Sequence, residues 1–82
     1  MTIFVDTNIE PNSVSIEIRG EKYGRVIAET VDSACLRLLK HLTKDDTAFV
    51  NTRSVGAVTA DILSKYISVV RVCPNGTDII KD

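Results

Sequence analysis

Residues 13–19 read SVSIEIR, and no other stretch restricts the fold as much. Val14, Ile16 and Ile18 alternate without a fault with Ser15, Glu17 and Arg19. Successive side chains on a strand point to opposite faces, so the run predicts a strand with Val14, Ile16 and Ile18 inward and the polar residues outward. A strand with one wet face belongs in an antiparallel ladder. Residues 2–9, TIFVDTNI, alternate as well: Ile3, Val5, Thr7 and Ile9 share one face, and Phe4, Asp6 and Asn8 the other. EPNS (10–13) joins the two runs as a turn, in which Pro11 presets φ and Asn12 tolerates the tight position. GEKYG (20–24) reverses the chain again, with Gly20 opening a tight hairpin and Gly24 marking a bulge. RVIAET (25–30) returns as a third strand, which completes an antiparallel meander.

The pattern then changes period. Val31, Ala34, Cys35, Leu38, Leu39 and Leu42 recur at helical spacing, behind Thr30 or Asp32 as a cap. Lys40, His41 and Lys44 crowd the far end, where a helix dipole favours cations. TAFVNT (47–52) is a short fourth strand. Ser54 is placed to cap a second helix carrying Val55, Val58, Ile62, Leu63 and Tyr66. ISVVRVC (67–73) is β-branched and nearly continuous, the composition of a strand buried on both faces. PNG and TDIIKD (74–82) read as a turn and a short tail. The expected fold is a single small α/β (α+β) domain over residues 1–82, in the order β-β-β-α-β-α-β. The right-handed crossover rule makes strands 1, 4 and 5 parallel in a mixed sheet of order 3-2-1-4-5.

At 82 residues the chain suffices for one domain, and one whose stability margin is thin. A homodimer would be a natural supplement. With no Trp, two Phe and two Tyr, the core has to be aliphatic. Ten Lys/Arg against eleven Asp/Glu, interspersed along the chain, argue against a non-specific nucleic-acid binder. Cys35 and Cys73 stand far apart in apolar contexts, which predicts two reduced, buried thiols. No apolar run approaches the ~18 residues of a membrane span. The absence of a signal-peptide pattern predicts a cytoplasmic protein.

Two local stretches, FVDTN (4–8) and VNTRS (50–54), together with the element order, make the chain resemble a reduced ribonuclease H-like fold over nearly its whole length. The shorter match of VDTN (5–8) to the opening of PIN-type nucleases is not sustained, because a meander follows where that fold is helix-rich. The ribonuclease H-like resemblance implies two Mg²⁺ ions held by carboxylates, which stabilise the attacking and leaving oxygens. Asp6 matches the first position of that set. Asp32 is the acid of the first helix, Asn51 stands at the end of the fourth strand, and Asp61 is the next acid along. Asn51 is a neutral ligand where a Mg²⁺ site needs charge, so the resemblance predicts the fold better than the activity. No cofactor is expected otherwise.

Other candidates are local. Asp6 and Asn8 can meet a ligand at the carboxyl end of a central strand, or simply bond a neighbouring turn. In NTRSVG (51–56), Arg53, Ser54 and Gly56 with backbone N–H groups can hold an anion; the plainer role is a capped helix start. His41, the only His, suits a helix C-terminus. It lies six positions from Cys35 and on a different face of the helix, which leaves no Cys–His pair. Arg19, Lys22, Tyr23 and Arg25 gather at the hairpin tip, with Glu17, Glu21 and Glu29 diluting their charge. That mixture suits a protein partner better than a polyanion. The expected function is a small non-catalytic binding protein acting by protein–protein contact: an inhibitor, an immunity or antitoxin protein, or a viral protein that blocks a host complex. The alternatives are a nucleic-acid-binding protein and a metal-dependent ribonuclease.

Overall fold

In the structure, a computed structural model that describes residues 1–73, the alternation of the first two runs becomes a register. β1 (Thr2–Glu10) and β2 (Ser13–Gly20) pair antiparallel from Ile3 opposite Gly20 to Glu10 opposite Ser13. β3 (Gly24–Ala28) continues the meander on the outer side of β2. β4 (Thr47–Asn51) lies parallel to β1, and β5 (Ser68–Val72) parallel to β4. The order is β3-β2-β1-β4-β5, as expected from the crossover rule. The turn and tail expected over residues 74–82 lie outside the described residues.

Helix α1 (Val31–Leu39) starts at Thr30, whose hydroxyl accepts the Ser33 N–H at 3.1 Å. Helix α2 (Gly56–Leu63) connects the two parallel strands β4 and β5. The helices touch each other and pack on the same face of the sheet. Ile3 and Val5 of β1, Ile16 and Ile18 of β2, and Ala48 and Val50 of β4 meet Ala34, Cys35 and Leu38 of α1 and Ala60 and Leu63 of α2 in one aliphatic core. Thr7 and Thr59 continue that layer with a hydroxyl–hydroxyl bond of 2.8 Å. Among the described residues, no helix packs on the opposite face of the sheet. Among the described residues, no helix is long and apolar enough to cross a membrane.

Five local expectations change. Ser15 is buried, because its short side chain lies between the larger cross-strand neighbours Asn8 and Ile27. Gly24 marks no bulge: it pairs in register with Ile18, and a Cβ there would meet nothing within 4 Å. Ser54 does not cap α2. It takes a left-handed φ of 55°, and Val55 occupies the cap position without a side-chain bond. β5 is an edge strand, mostly exposed, since only one face of its apolar run is covered. Cys73, just beyond β5, is exposed as well.

Candidate functional site

Strand parity delivers a second set of residues to the uncovered face. Phe4 of β1 and Phe49 of β4 are Cα partners on adjacent parallel strands, with ring centroids 5.5 Å apart and planes tilted by 36°. Phe4 is 47% exposed despite standing on the central strand. Val70, the partner of Phe49 on β5, and Val72 extend the apolar strip to the sheet edge, both exposed. A tilted aromatic pair of this kind presents a broad contact surface.

Two residues further along each strand the same face turns polar. Arg19 Nη2 donates to Asp6 Oδ2 at 2.8 Å, and Asn51 Nδ2 donates to Asp6 Oδ1 at 3.0 Å. Asn51 Oδ1 in turn accepts the Arg53 N–H at 2.9 Å. Phe4, Phe49, Val72 and the Asp6–Arg19–Asn51 group enclose a shallow hollow of about 210 Å³. Beyond Asp6, at the carboxyl ends of β1 and β4, Asn8, Glu17, Asn51, Arg53 and Ser54 line a wider polar hollow of about 500 Å³.

The structure brings Asp6 and Asn51 together and keeps the other two acids away. Both carboxylate oxygens of Asp6 already accept hydrogen bonds from side chains. Asp32 and Asp61 belong to the helices, which cover the other face; Asp61 pairs with Arg71 of β5. Among the described residues, no three of His, Cys, Asp and Glu gather as a metal-ligand set.

The NTRSVG loop is built around a backbone contact. A Cβ on Gly56 would lie 1.8 Å from the Asn51 carbonyl oxygen, so only glycine lets α2 start this close to β4. The Arg53 N–H is held by Asn51, and the Gly56 N–H by the Arg53 carbonyl at 2.9 Å. Two of the donors that an anion would use are thus already engaged.

The basic hairpin tip is divided. Arg19 faces Asp6. Lys22 turns inward, where its Nζ donates to Asp46 Oδ2 at 2.7 Å and to the His41 carbonyl at 3.0 Å. Tyr23 and Arg25 remain exposed beside His41. Asp46 is the charged group that sequence reasoning missed. It is almost wholly buried, and it also accepts the Thr43 N–H at 2.8 Å and faces the Met1 ammonium at 3.3 Å. The Lys22 bond, then the Thr43 N–H, hold its carboxyl down at about 2. No sequence spacing links Lys22 to Asp46, so only the fold could reveal the tie. Phe4 and Phe49, by contrast, carried a signal: each shares strand parity with the polar residue two positions later, Asp6 and Asn51.

Fold and site together define a two-layer α/β domain whose candidate surface is an uncovered, half-aromatic sheet face. No family model, curated protein or solved structure matches the chain.

Proposed function

We propose that the chain is a small non-catalytic binding domain that acts by protein–protein contact through the bare face of its sheet, in the manner of an inhibitor or antitoxin. The observation that carries this reading is the uncovered strip of Phe4, Phe49, Val70 and Val72, bordered by the Arg19–Asp6 pair. Large apolar side chains gathered on one face of a small domain mark an interaction surface. The partner is a protein presenting an apolar ridge flanked by charges of both signs. Asp6, bonded to Arg19, neutralises the cation beside the rings.

A second reading has a specific observation behind it. Two adjacent rings on the central strands of an open sheet can stack unpaired bases. Charge favours the protein: a polynucleotide needs cations that no acid neutralises, and Asp6 already occupies Arg19. The ribonuclease reading ranks below both, because the oxygens of Asp6 are engaged by Arg19 and Asn51.

The test is affinity capture from a cytoplasmic extract, with and without nuclease treatment, using the wild type, Phe4→Thr and Phe49→Thr. Threonine keeps the strand preference while removing the ring. A stoichiometric protein retained by the wild type and lost by both variants supports the reading. Capture that vanishes on nuclease treatment overturns it in favour of nucleic acid. A wild type that runs as a dimer in light scattering, and as a monomer after Phe4→Thr, makes a second copy of the chain the occupant.

A further inference from the structure

At the opposite edge of the sheet, cations collect that form no ion pair among the described residues. A hollow of about 430 Å³ opens between the β2–β3 hairpin and the C-terminal end of α1. Ile18, Val26 and Leu38 form its apolar floor, and the exposed Tyr23 stands at its rim. A second hollow of about 410 Å³ shares Arg25, Val26 and His41 with the first and adds Arg37 and Lys40. The two adjoin at Arg25 and His41.

Among the described residues, Arg25, Arg37 and Lys40 take part in no ion pair. The carbonyl end of α1 accounts for cations at Arg37 and Lys40. It does not account for Arg25, which reaches the same place from β3, nor for an aromatic ring exposed beside an apolar floor. Lys22 lines the first hollow, but Asp46 already engages it.

An apolar floor with a ring on one side and three cations outside any ion pair among the described residues on the other is complementary to a ligand with a flat ring and a multiply charged anionic tail. We propose that this cleft binds a phosphorylated nucleoside, with its base against Val26 and Tyr23 and its phosphates between Arg25, Arg37 and Lys40. The first hollow falls within the ~300–1,000 Å³ of small-ligand sites. An extended acidic peptide fits less well, because it has no flat ring to fill the floor between Val26 and Tyr23.

The experiment is a nitrogen-15 NMR titration of the full chain with ADP, inorganic pyrophosphate and a 5′-phosphorylated oligothymidylate. Saturable shifts at Tyr23, Arg25, Val26 and His41, with an ADP dissociation constant below ~1 mM, are expected. Arg25→Gln weakens ADP and pyrophosphate alike by about tenfold, as loss of a charge-assisted contact does. Tyr23→Ser weakens ADP and leaves pyrophosphate unchanged. All the substituted side chains are exposed, and unchanged spectra elsewhere show that the fold is kept. If the oligothymidylate saturates at lower concentration than ADP, the nucleotide in the cleft is the end of a strand; the reverse order makes it a free nucleotide. Absent or scattered shifts, a poly-glutamate peptide that competes as well as ADP, or indifference to Tyr23→Ser would overturn the proposal.

Discussion

One strand, β1, builds two opposite surfaces. Ile3 and Val5 are 0% and 1% exposed, under the helices; Phe4, between them, is 47% exposed on the bare face. The covered face is aliphatic and closed, so its side chains contribute chiefly to stability. The bare face holds rings, valines and a charged pair with water on one side, so it contributes less to folding and remains available for contact. The two chain connections explain the asymmetry. α1 leads into β4 and α2 leads from β4 into β5, and both helices pack on the same side. Among the described residues, no third helix is present to cover the other face.

The largest contrast between covered and open positions is expected at the two thiols. Burial, against a weaker opposing bond from Thr59, pushes the Cys35 thiol up to about 11. Only the thiolate attacks disulfide reagents. Cys35 therefore reacts only when the core opens, while Cys73 is exposed in the native state. Reaction with an aromatic disulfide reagent at neutral pH should show one fast thiol and one slower by at least ~10³-fold, the lower end of the folding equilibrium for small domains. Two equally fast thiols would mean that the helix-covered layer is not closed.

Ile16→Ala comes next. Ile16 is wholly buried on β2, and its truncation should cost about 2–5 kcal/mol in a denaturant titration. A chain of this size has roughly 4–12 kcal/mol in all, so the variant stands close to unfolding. A loss under ~1 kcal/mol would place the main core elsewhere.

Asp46 links the covered layer to its rim through Lys22 and the Met1 ammonium. Its folded-state value of about 2 lies below the ordinary 3.8. The stability it contributes is therefore complete above the ordinary value and disappears as pH falls through about 2. Asp46→Asn should lower the melting temperature at neutral pH and flatten its decline across that acid window. A variant whose acid decline matches the wild type would show that other carboxylates govern it.

Most of the fold was legible because periodicity is a local property. SVSIEIR, the helical stripe from Val31 to Leu42 and the β-branched run at 67–73 each announced an element, and the crossover rule ordered them. What local pattern could not reveal was coverage. The same β-branched composition serves a strand covered on both faces or an edge strand like β5, and nothing between Ile67 and Cys73 says which. Ser54 shows the same limit: its type suits a cap, but the approach of Gly56 to the Asn51 carbonyl fixes the loop and leaves Ser54 at positive φ. At the site, Asp6 and Asn51 could be foreseen as neighbours from strand order. Their role could not, because Arg19 reaches Asp6 across a register that only the paired strands define.

The smallest expected effect on stability makes the sharpest test of the two-face comparison. Phe4→Thr removes a half-exposed ring and its contact with Phe49, an interaction of about 0.5–1.5 kcal/mol, while preserving a good strand residue. Its loss should stay near 1 kcal/mol, and that of Val70→Thr on the exposed edge within about 0.5 kcal/mol. Both lie well below the cost of Ile16→Ala, although Phe4 is the larger side chain and sits on the central strand. Size and sheet position are thereby separated from coverage as the cause. Should Phe4→Thr cost as much as Ile16→Ala in the same titration, the bare face would be part of the folding core, and its rings would need no partner to explain them.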